Sequence, residues 1–440
     1  NIESAIAAYT EAVNTLQSIR SDLATIDPEV QFSFRDSVEP VYRQLVDLLL
    51  LSVETIPNSQ FPIPNSQQNR LIQARKVIES LQLAELDNFF REACLDARPK
   101  QIDQIDRKAA VIYPVILPDR IEVILSLPQQ PLRNYTTRLD QTQIEQTINQ
   151  FRQAIGIRHS SQSERLRLAQ EVYNWLIKPA ETELKSSGVE TLVFILDGSL
   201  RNIPMAALYN GQQYLVEQYS IALTPGLQLL QPQPLTRLRL RALAGGLSEA
   251  YQGFSPLPAV RREIEQVSTE LRDTTSLLNQ QFTSTTLERE VKTEPFRVVH
   301  LATHGQFSSN SQNTFILAWD GPINVKNLDE LLRTRNAGTS NRPIELLVLS
   351  ACETAAGDKR AALGLAGVAL RAGASSTLAT LWKVSDDSTA ALMTEFYRQL
   401  GNPGITKAEA LRQAQITLLR NRSFRAPYFW APYVLVGNWL

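Results

Sequence analysis

Val298-Val299-His300-Leu301-Ala302-Thr303-His304-Gly305 and Leu346-Leu347-Val348-Leu349-Ser350-Ala351-Cys352-Glu353-Thr354 are the two stretches that decide how this chain folds. The first opens on two β-branched residues, and the second on an unbroken apolar run of four. Such runs are how strands look when a parallel sheet is covered on both faces. Sheets of this kind carry their chemistry at the C-terminal strand ends. Each stretch ends in one reactive side chain, a histidine in one and a cysteine in the other. If residues 298–304 form one strand, His300 and His304 share a face but lie roughly 13 Å apart, which rules out a chelating pair. Only His304, followed by Gly305 where the strand must stop, is positioned to reach out of the sheet.

Forty-eight residues separate His304 from Cys352, room for one crossover and the next parallel strand. Caspases carry a histidine at about this distance upstream of their nucleophilic cysteine. The chemistry needs the pairing because the thiolate is the attacking species, and a free thiol is only a few per cent ionised at neutral pH. A neighbouring imidazole takes the proton and returns it to the leaving amine. Backbone N–H groups at the two strand ends are candidates to hold the oxyanion. Nothing in the sequence fixes a third member of a triad. Asp358, Asp386 and Asp387 are candidate orienting carboxylates that read equally as surface loop residues, so the expectation is a dyad.

The sequence resembles a known family through several motifs in one order. They are His300-Leu301-Ala302-Thr303-His304-Gly305, Ser350-Ala351-Cys352-Glu353-Thr354 and Leu381-Trp382-Lys383-Val384. Asp197-Gly198-Ser199-Leu200-Arg201-Asn202-Ile203-Pro204 and Pro427-Tyr428-Phe429-Trp430-Ala431-Pro432-Tyr433 extend the match. Together, over roughly residues 108–440, they look like the CHAT family, caspase-like cysteine peptidases of clan CD related to separase. The resemblance implies His304 as general base, Cys352 as nucleophile, and the amides of Gly305 and Cys352 as the oxyanion hole. It implies an α/β fold: a caspase-like three-layer sandwich with a mostly parallel sheet, preceded by a catalytically silent caspase-like half.

Composition bounds the alternatives. The chain has 440 residues, 43% hydrophobic and 20% charged, with a formal net charge of −1. That describes a soluble globular protein with no general attraction to nucleic acid or to an anionic membrane. No apolar stretch approaches the ~18 to 20 residues that span a bilayer. Cys94 and Cys352 are too few for a disulfide scaffold, so a reducing, cytoplasmic setting is expected. The chain opens mid-pattern for a helix, so it reads as part of a longer protein whose targeting signals would lie upstream.

Residues 1–107 read as helical, with helices expected over 2–23, 38–53 and 69–86. Ala7-Ala8-Tyr9 resembles the tail of a tetratricopeptide array. Residues 108–234 carry an α/β pattern: a hairpin over 111–117 and 121–127, helices over 141–155 and 164–186, and strands over 191–196 and 218–223. This region fits the silent half, and Gln231-Pro232-Gln233-Pro234 fits a linker. Residues 235–440 fit the active half. Strands are expected at 240–244, 275–278, the two opening stretches, 376–381 and 433–436, with helices over 259–271, 284–291, 328–332, 364–372, 388–400 and 407–419. Alternating β and α elements argue for a parallel sheet.

Other readings of single residues are blander. Cys94 beside Phe89 and Phe90 fits core packing, His159 in Arg158-His159-Ser160 fits an exposed loop, and His300 fits a hydrogen-bonded support inside the sheet. Arg237, Arg239 and Arg241 alternate with leucines as the polar face of a strand. There is no G-x-S-x-G elbow, P-loop or paired-cysteine zinc spacing, so no metal and no cofactor is expected. The family's specificity pocket corresponds to Gly246-Leu247-Ser248-Glu249 and to 381–387, which names Glu249, Trp382 and Asp386. Those acids favour a basic residue before the cut, and Trp382 a large apolar one. No arginine stands there to take aspartate. The expected activity is hydrolysis of protein substrates by a cysteine endopeptidase, restrained until a regulatory protein binds, with the helical module as its recruiting surface. Neither nucleic acid nor a membrane is expected as a direct partner. The rival is a scaffold that keeps a caspase-like domain without turnover.

Overall fold

A computed structural model describes residues 2–19, 37–51, 65–90, 105–227, 240–307, 314–333, 344–350, 352–354 and 374–440. Cys94, Asp358, the linker at 231–234, Arg237, Arg239 and the expected helix at 364–372 lie outside the described residues. The chain divides into two compact units. The first comprises Asn1–Thr147, Glu171–Gly198 and Thr224–Leu229; the second comprises Ile148–Gln170, Ser199–Leu223 and Leu230–Leu440.

In the first unit, helices Ile2–Ser18, Glu39–Leu51 and Asn65–Phe90 stand where apolar residues recur every three or four positions. The middle helix turns Tyr42, Leu45, Val46, Leu49 and Leu50 into the core. Strands β1 (Ala109–Leu117), β2 (Arg120–Ser126), β3 (Arg133–Arg138) and β4 (Thr191–Phe194) lie in the order β3-β2-β1-β4. β1 and β2 form the expected hairpin, and β1 runs parallel to β4. The third strand was not legible, because Arg-Asn-Tyr-Thr-Thr-Arg has no apolar face; its ladder to β2 holds it. β4 pairs β1 only as far as Ile112. Beyond that point the Asp197 carboxylate accepts the Ile116 N–H at 3.0 Å and the Arg43 guanidinium fork at 2.8 Å per contact.

The helix expected over 164–186 is three pieces: Gln162–Leu176, a 3-10 turn Lys178–Ala180 and Glu181–Ser186. Pro179 supplies no N–H to the i−4 carbonyl, so the helix breaks there.

The second unit contains β5 (Ser220–Leu223), β6 (Ala242–Gly246), β7 (Thr274–Leu278), β8 (Val298–Ala302), β9 (Gly305–Phe307), β10 (Phe315–Ala318), β11 (Gly321–Asn324), β12 (Leu346–Leu349), β13 (Cys352–Thr354), β14 (Ser376–Thr380) and β15 (Tyr433–Gly437). Seven of these lie in the order β5-β15-β14-β12-β8-β6-β7, and the other four form a small sheet β11-β10-β9-β13. Every pairing among the seven is parallel except β14 with β15. This is the mostly parallel sheet expected from the sequence. The exception arises because two helices, Asp386–Leu400 and Lys407–Arg420, intervene before β15 and bring the chain back to the end of the sheet where β14 stops, so that Tyr433 starts opposite Thr380. The small sheet is a departure from the sequence reading, since the short β10–β11 hairpin has too few residues to show a period.

β8 and β12 are wholly buried and pair in parallel from Leu346↔Val298 to Leu349↔Leu301. The helix Ala259–Glu270 packs on β6 beside them, with Val260, Ile264 and Val267 buried. Gly246 permits that approach: a Cβ there would stand 2.5 Å from the Ala302 carbonyl oxygen and 2.7 Å from the Val260 side chain. Among the described residues no helix is long and apolar enough to cross a membrane. Gly246→Val forces backbone and helix apart at the C-terminal end of β6, and is expected to lower unfolding free energy by about 1–3 kcal/mol, read as a fall in thermal midpoint.

Candidate active site

The stretches that begin at Val298 and Leu346 leave the large sheet at the same level. β8 stops at Ala302 and β12 at Leu349, one register step apart in their shared ladder. The sequence expectation of one strand through His304 is corrected here. Thr303 turns its hydroxyl onto the Leu317 carbonyl at 2.6 Å, and the His304 carbonyl accepts the Leu317 N–H at 2.8 Å. These bonds pull the chain out of the large sheet, and Gly305 starts β9 in the small one. His304 therefore sits in the link between two strands rather than two residues further along the face that holds His300.

The second stretch does the same. After Ser350, whose N–H still bonds the Leu301 carbonyl at 3.1 Å, Cys352 begins β13. β13 runs parallel to β9 with Cys352 opposite Gly305, Glu353 opposite Gln306 and Thr354 opposite Phe307. Neighbouring strands stand about 4.8 Å apart, so the Cys352 backbone lies that close to the residue following His304. The two residues whose amides are expected to hold an oxyanion therefore stand opposite each other in the β9–β13 ladder.

His304 is 9% exposed, and its Nε2 lies 2.7 Å from the Ser255 carbonyl oxygen. A carbonyl only accepts, so Nε2 carries the hydrogen and the lone pair of the neutral ring is on Nδ1. Burial holds the imidazole below the ordinary histidine value. The Ser255 hydrogen bond opposes that shift, Lys383 adds to it, and Asp386 opposes it. The balance favours a neutral ring at neutral pH, which is the form a general base needs. The Phe254 ring lies beside the imidazole, centroids 5.0 Å apart.

Ser255 was not among the sequence candidates. Its contribution is a main-chain carbonyl, which any residue supplies, so no side-chain signature could mark it; only the turn signal of Gly253 was readable.

The remaining candidates separate by environment. His300 is fully buried, with Nε2 3.0 Å from a Glu263 carboxylate oxygen and Nδ1 2.9 Å from the Tyr397 hydroxyl. Acceptor on one side and hydroxyl on the other make it a structural strut. His159 is exposed. Glu249 is exposed and accepts from Asn279 Nδ2 at 2.7 Å. Trp382 is 5% exposed, its indole N–H on the Tyr428 carbonyl and the Arg152 guanidinium 4.6 Å above its ring. Asp386 begins the helix Asp386–Leu400; burial raises its carboxyl despite a long contact from the Ala259 N–H. Asp387 is exposed and paired with Arg262. Arg241 pairs with Asp273 and Glu294, which accounts for it without a phosphate.

This is a caspase-like α/β architecture: among the large-sheet strands β6, β7, β8 and β12, taken in chain order, the histidine follows the third and the cysteine the fourth. The sequence profile of the CHAT domain matches residues 166–438, and the chain belongs to that family. The match starts later than the 108 read from the motifs, leaving β1 to β3 outside it. No curated protein is significantly similar to the chain in sequence. Among solved structures, two crystal structures of the Saccharomyces cerevisiae separase–securin complex, at 3.0 and 2.6 Å, match 98% of this chain with TM-scores of 0.54 and 0.51 at 10% identity. The chain spans 37% of the separase chains it matches. A complex of the pro- and mature domains of RgpB from Porphyromonas gingivalis matches 68% of this chain and 76% of its own, with a TM-score of 0.40 at 9% identity.

An imidazole kept neutral by burial makes the folded state lose stability as pH falls. From the unfolded value of 6.5 downward the unfolded chain takes up a proton that the folded ring resists, until the lowered folded value is reached. His304 is expected to titrate below 6.5 by NMR, and His304→Asn to flatten the fall of thermal midpoint between pH 7 and 5.

Proposed function

We propose that the chain is a cysteine endopeptidase in which Cys352 attacks the substrate carbonyl and His304 is the general base. The observation that carries this reading is the pairing of Cys352 with Gly305, next to an imidazole whose Nε2–H is tied to the Ser255 carbonyl. His304 Nδ1 takes the thiol proton and the thiolate adds to the carbonyl carbon. The amides of Gly305 and Cys352 receive the oxyanion, and the imidazolium returns the proton to the leaving amine. Water then repeats the sequence on the thioester.

The placement of Gly305 and Cys352 in one ladder supports a restrained resting state, because an oxyanion hole needs both N–H groups free of ladder bonds. We infer that a regulatory protein frees them, with residues 1–107 as the recruiting module, 108–234 as the silent half and 235–440 as the active half. The similar separase structures hold separase with securin, which favours control by a protein partner.

For the pocket, Glu249, Trp382 and Asp386 remain the candidates, and Asp386 is near enough to act on the charge of His304. These acids support a basic or large residue before the cut. In a peptide library, cleavage after Arg, Lys or a large apolar residue is expected; dominant cleavage after Asp would overturn the pocket assignment.

A thiol-directed peptidyl probe tests the enzyme itself. Labelling should vanish in Cys352→Ala and fall by about 10²-fold or more in His304→Ala, the usual scale of general acid–base contributions. An intact protein that no condition makes reactive is the scaffold instead.

A further inference from the structure

The Ser255 carbonyl that fixes His304 sits on a loop with little else to hold it. Residues 252–256 are all exposed, and the loop returns to the core only at Leu257. Its own structure is a two-residue hairpin. Tyr251 and Phe254 form an antiparallel bridge through hydrogen bonds of 3.3 and 2.9 Å, with Gln252 at φ 48° and Gly253 at φ 83°. Two successive positive φ values are those of a type I′ turn.

One side-chain contact ties that piece to the small sheet at its far end. The Tyr251 ring stacks on Trp319, centroids 4.3 Å apart at 18°. Trp319 stands in the β10–β11 turn, where its N–H bonds the Phe282 carbonyl at 2.8 Å. The next residue, Asp320, accepts the Ser284 N–H at 2.8 Å in the first turn of the helix Ser284–Thr293. Trp319 is therefore anchored from two directions, whereas Tyr251 leads into a loop whose residues 252–256 are exposed. At the near end of the same hairpin, Phe254 packs beside both His304 and Phe315.

We propose that the Tyr251–Trp319 stack is a positioning element for His304, holding the hairpin where the Ser255 carbonyl meets Nε2–H. Neither ring touches the imidazole; they act through the hairpin, so both are positioning residues. The inference rests on the peptidase reading only in what His304 does, not in where it is held.

The full chain has three histidines, so selective 15N-histidine labelling resolves His304, assigned by its loss in His304→Asn. The wild type should show the Nε2–H tautomer. In Trp319→Ala and in Tyr251→Ala that signature should give way to exchange between tautomers, with the titration midpoint moved down as the Ser255 bond is lost. The signals of His300, deep in β8, should stay unchanged and report an intact core. Trp319→Phe, which keeps a ring to stack, should restore the wild-type His304 signature.

With the thiol probe, the inactivation rate constant should fall about tenfold in Trp319→Ala, the scale of one lost aromatic pair, while the concentration for half-maximal rate stays put. An unchanged His304 signature in both alanine variants overturns the proposal, as does a phenylalanine variant that behaves like alanine. A wild type that never labels, but whose His304 signature responds to Trp319→Ala, sinks the peptidase reading and leaves the positioning role supported.

Discussion

The in-register parallel pairing of β8 with β12 is the constraint from which the rest of the second unit follows. Because Leu301 lies opposite Leu349, the two chains run out of sheet at one level and on one side. Both then re-pair as β9 and β13 in a second, smaller ladder. A slip of one residue in the first ladder would turn every side chain of β12 to the other face and offset the second ladder by a residue. The wholly buried apolar runs of β8 and β12 make such a slip costly, so core packing fixes how Cys352 stands relative to His304.

Two histidines four residues apart show how environment divides labour. His300 is sealed between Glu263 and Tyr397, with both ring nitrogens spent. His304 spends only Nε2 on a protein hydrogen bond among the described residues and sits where burial disfavours its charge. The first ring reinforces the packing of two helices on the sheet, through Glu263 and Tyr397, whereas the second is held by a main-chain carbonyl. The end of β4 offers a contrast. There the side chain that emerges is Asp197, and its carboxylate is consumed by the Arg43 fork and the Ile116 N–H. A strand end occupied in this way ties the helix Glu39–Leu51 to its sheet and leaves no free acid for a reaction.

Most strands and helices were legible because their residues announce a period or an unbroken apolar run: β1, β2, β8, β12 and the helices Glu39–Leu51 and Ala259–Glu270 fall close to where the pattern puts them. What escaped was short or polar. β3 has no apolar face, and the β10–β11 hairpin is too brief for a period.

His304 and Cys352 could be singled out from the sequence alone, because a strand-end histidine followed by glycine and a strand-end cysteine are chemical types at a fixed spacing, while the charge balance argued against nucleic acid and the missing zinc spacing against a metal. What the folded chain alone decided is how they are held: that β8 ends at Ala302, that the thiol-bearing residue lies opposite Gly305, and that a main-chain carbonyl at Ser255 orients the ring. The reason is physical. Side-chain identity is written in the sequence, whereas a backbone carbonyl and a ladder register belong to every residue equally and acquire meaning only when distant segments such as 251–255, 304–307, 315–319 and 352–354 come together.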